Sequence, residues 1–204
     1  MKINTNRWNK IRYTLYAPGY DILGKIFFSS RKKSIYNLNI QPGEKVLIIG
    51  VGTGLDLEFT PKNCLVVATD ITPSMIERTI KRNKVIGLSL EALVMDGQNL
   101  AFSNESFDKV ILHLILAVIP DPVACLKEVE RVIKPGGKIS VFDKFVPKNQ
   151  RVSLIRKILN PITSALFSDI TRNFESMASQ TSLKIEKDIA ADFKGKFRIL
   201  LLSK

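Results

Sequence analysis

A chain of 204 residues with 45% hydrophobic and 25% charged residues is long enough for one domain with a sizeable core, and its composition excludes global disorder. The longest nearly uncharged apolar run, residues 110–119, is about half the length that a membrane-spanning helix needs, which excludes a bilayer span. A formal net charge of +12 predicts attraction to nucleic acid, acidic lipid headgroups or a phosphorylated substrate, unless it reflects compositional bias alone.

The cysteines and the N-terminus favour a cytoplasmic protein. Cys64 and Cys125 lie far apart and belong to no Cys/His cluster, so neither a disulfide framework nor a metal site is expected. The opening residues are polar and basic and lack the apolar stretch of a signal peptide. We therefore expect a protein of the reducing cytoplasm.

The elements predicted in chain order describe one α/β domain. Residues 1–40 are expected to form an N-terminal helical lid or membrane-contact segment ahead of a core at 41–204. Strands are predicted at 46–49, 65–69, 88–95, 109–114, 139–142, 183–189 and 197–202, and helices begin near 55, at 73 and at 121. The third helix is expected to end at the Lys-Pro-Gly-Gly run of residues 134–137. This alternation predicts a seven-stranded, mostly parallel sheet whose last two strands are antiparallel.

A glycine-rich loop carries the strongest functional signal. Gly50, Gly52 and Gly54 follow a buried strand and precede a helix, so the backbone can turn sharply and leave room for a ligand. Asp70 ends the next strand, twenty residues after Gly50, where a carboxylate can accept hydrogen bonds from a ribose diol. The combination predicts a site for an adenosine-containing cofactor, with a structural turn as the alternative.

Five segments in order resemble the class I S-adenosylmethionine-dependent methyltransferases. They are VLIIGVGTG at 46–54, VVATDITPSM at 66–75, Met95-Asp96 with Leu100-Ala101-Phe102, FDKV at 107–110 and LKEVERVIKPGGKI at 126–139. The G-x-G-x-G spacing also differs from the dinucleotide fingerprint G-x-G-x-x-G. The resemblance implies a Rossmann-like α/β fold with helices on both faces of the sheet, and S-adenosyl-L-methionine as the cofactor.

The resemblance also implies roles for individual residues. The glycine loop would frame the methionine moiety, Asp70 would hold the ribose hydroxyls, and Asp96 would accept from the adenine amino group. Ile71 and Met75 would flank the adenine. Asp96 could instead cap a turn, and the two apolar side chains could be core only. The implied cofactor contacts are Tyr16, Tyr20, Gly50, Gly52, Thr53, Gly54, Asp70, Ile71, Met75, Asp96, Gly97 and His113.

One position departs from the family pattern. An acidic residue usually stands two positions before the first glycine and helps to place the charged methionine end, whereas this chain has Ile48. This departure motivates one alternative, a cofactor-binding protein without catalytic activity.

Within the class, the chain is most similar to the bacterial membrane-associated phosphatidylethanolamine N-methyltransferases. The residues that carry this similarity are 16–21, 50–55, 117–122 and 197–199. It implies that Tyr16 and Tyr20 close over the cofactor from an N-terminal lid, with plain packing of the two rings as the alternative. Quinone and sterol methyltransferases share a similar Tyr-Asp opening, so a small-molecule acceptor such as a quinone, thiol or antibiotic intermediate remains the second hypothesis.

Basic residues beside apolar stripes favour a lipid surface. Such stripes occur around Trp8, Ile11 and Leu15, at 27–33, and at 151–167, where Ile158, Leu159 and Ile162 alternate with basic residues. The same stripes could pack on the sheet instead. Nucleic acid is not expected as a partner, because residues 112–115 do not match the Asp/Asn-Pro-Pro-aromatic motif of base-amine methylation.

His113, the only histidine, is the candidate catalytic residue. It is predicted at the end of the fourth strand, beside the methyl group, and an imidazole with a pKa near 6.5 can take a proton from an amine. A cofactor-lining or packed role is the alternative. The leading hypothesis is a methyltransferase that acts on a phospholipid headgroup amine from the inner face of the membrane.

Overall fold

A seven-stranded sheet forms the centre of the computed structural model. The structure describes residues 4–17, 19, 21, 24–146, 154–166, 168–191 and 196–204. In the helix at 154–166, side chains are described only for residues 158–164. The strands are β1 (Lys45–Ile49), β2 (Leu65–Asp70), β3 (Ser89–Val94), β4 (Phe107–His113), β5 (Ile133–Lys144), β6 (Lys184–Ala190) and β7 (Phe197–Ser203). Their order is β3-β2-β1-β4-β5-β7-β6. The first five are parallel, and β7 is antiparallel to both β5 and β6, which confirms the predicted sheet.

Helices cover both faces because the central strands are apolar on both sides. The α-helices are α1 (Asn6–Tyr16), α2 (Phe28–Leu38), α3 (Pro73–Ile86), α4 (Pro122–Val132), α5 (Leu154–Leu166) and α6 (Phe174–Ala178). Alternate residues of β1 belong to different core clusters, since successive side chains of a strand point to opposite faces. Leu47 and Ile49 pack with α4 and α6, whereas Val46 and Ile48 pack with α2. Among the described helices, none is long and apolar enough to cross a bilayer.

The end of α4 differs from its prediction. Pro122 follows an N-cap, Asp121, whose carboxylate accepts from the backbone N–H of Val123 and Ala124 at 3.0 Å each, as expected. The helix ends at Val132, however, and Ile133 already pairs with Phe107 in β5. The register then shifts before Lys138 pairs with Lys109. The Lys-Pro-Gly-Gly run of residues 134–137 therefore forms an irregularity within a strand instead of a helix cap. Pairing with β4 begins at Ile133 and ends the helix before this run is reached.

The N-terminal segment divides into two parts with different packing. Ile35 and Leu38 of α2 are buried in the same core cluster as β1, so α2 is part of the layer that covers the sheet. Helix α1 lies across the carboxyl ends of the strands, as its hydrogen bonds to Asp96 and Val118 indicate. Of the described part of residues 1–40, α1 therefore has the position expected for a lid over the strand ends, and α2 does not.

Candidate functional site

The glycine loop lies at the carboxyl end of β1, between β2 and β4, where parallel sheets of this order bind ligands. The backbone N–H groups of Gly50 and Val51 both donate to the carbonyl of Thr69, at 2.8 and 2.9 Å. Gly50 has φ +70°, and a Cβ there would lie 2.7 Å from the Ile115 side chain. Backbone conformation and close packing therefore both require glycine at position 50.

Asp70 is oriented toward this loop by backbone donors. Its Oδ2 accepts from the Gly52 N–H at 3.0 Å, and its Oδ1 accepts from the Thr72 N–H at 2.8 Å. Burial raises the pKa of Asp70, against the effect of these donors. Each oxygen keeps a lone pair for a ligand.

Asp70 and the glycine loop share a pocket with most of the predicted contacts. Its lining includes the backbone of the loop, two carboxylates and apolar side chains on either side. The predicted residues among them are Gly50, Gly52, Asp70, Ile71, Met75, Asp96, Gly97 and His113. Gly97 is also constrained, because a Cβ there would lie 2.7 Å from the Ile49 side chain. This set of groups suits an adenosine: carboxylates for the ribose diol and the adenine amino group, and apolar walls for the base.

Helix α1 closes the pocket with residues that sequence reasoning missed. Asn6, Asn9 and Tyr13 line it from one helical face. Asn6 Nδ2 donates to Asp96 Oδ2 at 2.6 Å, and Asn9 Nδ2 donates to the carbonyl of Val118 at 3.1 Å. Their i, i+3, i+7 spacing was the available signal.

The closed pocket is small. Its volume is about 50 Å³, against several hundred for typical ligand pockets, and α1 forms one of its walls.

Of the two predicted lid tyrosines, the structure describes Tyr16, and it lies elsewhere. Tyr16 does not line this pocket and lies on a neighbouring one, at 6.1 Å ring-centroid distance from Tyr13. Tyr20 lies outside the described residues. The aromatic side chain that α1 presents to the predicted cofactor pocket is therefore Tyr13.

Thr53 and Gly54 support the loop from behind and do not line the pocket. Thr53 Oγ1 donates to Asp21 Oδ1 at 2.5 Å, and Arg82 Nε donates to the carbonyl of Thr53 at 2.9 Å. Arg82 also forms ion pairs with Asp21 and Glu58. A Cβ on Gly54 would meet Leu57 and Thr79 in the protein interior. Sequence position in the motif placed these residues near the ligand, but the Thr53 side chain points away from the pocket and Gly54 packs against Leu57 and Thr79.

His113 is held inside a buried polar network. Its Nδ1 lies 2.8 Å from Asp56 Oδ1 and its Nε2 lies 2.9 Å from Ser34 Oγ. The side chain is 0% exposed. Arg31 Nη1 binds the other oxygen of Asp56 at 2.7 Å, and despite burial Arg31 and His113 hold the pKa of Asp56 well below its usual range. Because both ring nitrogens are engaged within the protein, the geometry supports a packed, positioning role for His113 instead of the predicted role as a base.

Arg31 and Ile48 are also buried. The Arg31 ion pair removes this residue from the basic surface stripe expected at 27–33. Ile48 is 1% exposed and belongs to the core cluster beside α2, so the position that is usually acidic in the family is apolar and inside.

A second pocket adjoins the first. Tyr13, Leu114 and Val118 line both, so these three side chains separate them. The second pocket is about 610 Å³ and its lining is mostly apolar. Leu114 has φ +59°, uncommon for a branched residue, and its N–H donates to the carbonyl of Phe142 at 2.7 Å.

Two charged residues, Asp143 and Lys144, lie on the wall of the second pocket. Asp143 Oδ2 accepts from the backbone N–H of Ala117 at 2.8 Å, and its Oδ1 accepts from that of Lys144 at 2.8 Å. Burial raises the pKa of Asp143 to about 6. The predicted cofactor pocket and an apolar pocket with a carboxylate therefore meet at the carboxyl ends of β4 and β5.

Comparisons with known proteins identify the family of this chain. The family described as "Methyltransferase domain" matches residues 47–141. A phosphatidylethanolamine N-methyltransferase of Cereibacter sphaeroides is 30% identical over 150 residues, which cover 72% of this chain and 72% of that protein. A demethylmenaquinone methyltransferase of Corynebacterium kroppenstedtii is 33% identical over 118 residues, 57% of this chain and 49% of the relative. The chain thus spans about half the length of the second relative.

A solved structure shows the same fold. An S-adenosylmethionine-dependent methyltransferase from Methanosarcina mazei superimposes with a TM-score of 0.62 at 23% identity, covering 83% of this chain and 96% of that one. At this identity the likeness extends to the fold alone.

Proposed function

The chain belongs to the class I S-adenosylmethionine-dependent methyltransferases, and we propose that it N-methylates the headgroup amine of a phosphatidylethanolamine-type phospholipid at a membrane surface. The cofactor of this family, S-adenosylmethionine, supplies an activated methyl group. Asp70 and Asp96 would hold its ribose and adenine, with Ile71 and Met75 beside the base and the glycine loop beside the methionine end. The remaining task of the protein is to align an acceptor and exclude water.

The observation that carries this proposal is the pair of opposite charges in the second pocket. Asp143 and Lys144 are neighbours on a wall whose other lining is mostly apolar. A phosphoethanolamine headgroup carries one phosphate and one ammonium group, and an acyl chain needs an apolar surface. Among the described residues, the lining is otherwise mostly apolar, and a pocket with one carboxylate and one lysine suits both parts of such a lipid.

The mouth of the second pocket supports a membrane-bound acceptor. Leu15 lines the pocket and is 70% exposed, so the apolar lining continues onto the surface of α1. Ile158 and Ile162 of α5 are also exposed, and Arg12 Nη1 ties the two helices by donating to the carbonyl of Ser164 at 3.0 Å. A lipid could thus pass from the bilayer into the pocket along apolar surface.

Basic residues flank this apolar surface. Arg7 and Lys10 are exposed on α1. Of the other basic positions in the predicted stripes, Lys2 and Arg151 lie outside the described residues, as do the side chains of Arg156 and Lys157. Each basic residue near an anionic membrane contributes about 1 kcal/mol at most. A peripheral location on an anionic membrane follows from the proposal.

A quinone is the second candidate acceptor. The apolar pocket and the similarity to a demethylmenaquinone methyltransferase favour it. A quinol ring, however, has no cationic group for Asp143. Binding of a phospholipid amine would therefore depend on Asp143 and Lys144, whereas binding of a quinol would not.

Turnover with labelled S-adenosylmethionine separates these candidates. The first vesicles contain phosphatidylethanolamine and phosphatidylglycerol. In the second, phosphatidylcholine replaces phosphatidylethanolamine. The third have the composition of the second and also carry demethylmenaquinol. Methylated phosphatidylethanolamine supports the proposal. Methylation of the quinol alone overturns it in favour of the second candidate, and cofactor binding without turnover on either favours a non-catalytic protein.

A further inference from the structure

Asp143 is a buried carboxylate in a pocket wall without an ion-pair partner among the described residues. It is 1% exposed and lines the second pocket from the end of β5. Its strand neighbour in β7, Arg198, binds Glu175 and Asp188 instead. A buried anion costs free energy unless a cation or hydrogen-bond donors offset that cost.

The protein supplies only part of that compensation. Each oxygen of Asp143 accepts one backbone N–H, from Ala117 or Lys144, and each retains acceptor capacity. Lys144 and Arg172 are the positive groups that act on it electrostatically, and burial outweighs them. A carboxylate oriented by backbone donors and left short of positive charge is typical of a functional site.

We propose that the Asp143 carboxylate binds the ammonium group of the methyl acceptor and takes one of its protons. This assignment rests on the proposed function in that the acceptor is an amine. An ammonium N–H bond breaks and an O–H bond forms on Asp143, while the nitrogen keeps the electron pair. The neutral amine then has the lone pair that a new bond to carbon requires.

The position of Asp143 fits this role. Leu114, which separates the two pockets, donates its N–H to Phe142, the residue before Asp143. A nitrogen held at Asp143 would thus lie in the pocket that adjoins the predicted cofactor site. His113 lies one residue before Leu114, but both of its ring nitrogens are bound to Ser34 and Asp56. Asp143, which lines the acceptor pocket, is therefore the better placed of the two to take a proton from an amine there.

Binding of a soluble amine tests the inference independently of turnover. Octylammonium and octanol are titrated calorimetrically into the full chain with S-adenosylhomocysteine present, for wild type, Asp143→Asn and Asp108→Asn. Asp108 is the matched control because it also accepts a backbone N–H, from Lys45 at 2.9 Å, at the opposite end of the sheet. We expect Asp143→Asn to weaken octylammonium binding about thirtyfold or more, as loss of one partner of a buried charge pair does. Octanol binding and the control should change less than about twofold.

Wild type alone provides a second measurement, in case the substituted protein folds poorly. Octylammonium affinity should rise about tenfold between pH 5 and pH 7 as Asp143 ionises, because only the ionised fraction binds. Octanol affinity should stay level. Equal octylammonium binding by wild type and Asp143→Asn, or affinity that does not change over this pH range, overturns the inference.

Vesicle turnover keeps this inference separate from the proposed function. If wild type methylates phosphatidylethanolamine and Asp143→Asn is as active, the function stands and the role of Asp143 fails. If wild type does not methylate phosphatidylethanolamine, the proposed function fails, and the octylammonium titration still decides the role of Asp143.

Discussion

His113 Nδ1 and Asp56 Oδ1 lie 2.8 Å apart in the protein interior, and this contact joins the end of β4 to the turn that follows the glycine loop. Asp56 also binds Arg31 of α2, and His113 binds Ser34 of the same helix. Two adjoining elements of the candidate site are therefore held to α2 by one buried network. His113, the catalytic candidate of the sequence, thus holds the framework of the site together.

Asp56→Asn should lower the free energy of unfolding by about 3–5 kcal/mol, because it leaves the buried Arg31 without its counter-charge. The native pKa of Asp56 is depressed, so its contribution is present above the unfolded pKa of about 3.9. The contribution is lost as pH falls below that value. Urea unfolding at pH 7 and pH 3 should therefore show a larger difference from wild type at pH 7.

Glu186→Gln is the control for Asp56→Asn. Its pair with Lys138 is exposed, and we expect a change of at most about 1 kcal/mol. A loss for Asp56→Asn no larger than that of the control would contradict the buried network's contribution.

Asn6→Ala should speed cofactor entry. Asn6 holds α1 over the pocket by donating to Asp96, and removal of one such bond makes opening easier by about 1–2 kcal/mol. The association rate of S-adenosylhomocysteine should rise about fivefold or more. The single tryptophan, Trp8, lies on α1 and provides a stopped-flow fluorescence signal. Lys10→Ala, on the exposed side of α1, is the control, and a rate for Asn6→Ala equal to the control's would exclude the Asn6 contact as a latch.

Asp70→Ala should weaken S-adenosylhomocysteine binding by about 100-fold, since it removes a charged acceptor that the Gly52 and Thr72 N–H groups hold in the pocket. Calorimetric titration measures the change, and Asp108→Ala, remote from the pocket, should bind like wild type. If Asp70→Ala also binds normally, the ribose assignment is wrong even though the family is not in question.

Leu15→Ser combined with Ile162→Ser should reduce co-sedimentation with anionic vesicles by about tenfold or more, because both side chains are exposed on the proposed membrane surface. Val85→Ser is the control: it is 89% exposed and lies near the C-terminal end of α3, outside the apolar stripes described above. Wild-type binding should fall as salt is raised. A double variant that sediments like the control would place the membrane contact elsewhere.

The sequence by itself determined the sheet and the core of the candidate cofactor site. Apolar runs such as 46–49 bury both faces of a strand, and glycines with a following Asp70 are local signals that need no long-range information. The seven-stranded, mostly parallel sheet and a ligand site beside Gly50 and Asp70 followed from these patterns, whereas Asp96 came from the family resemblance and the strand order from the structure.

Only the tertiary structure decided which side chains face a ligand. Thr53 lies inside the motif but bonds to Asp21, because residues far apart in the chain meet behind the loop. His113 lies at the predicted strand end, yet Asp56 and Ser34 take both of its nitrogens. Asn6 and Asp143 carry no local motif, and packing of α1 and β5 against the strand ends brings them to the pockets. Secondary structure depends on local periodicity, whereas the direction of a polar side chain depends on partners that distant segments provide.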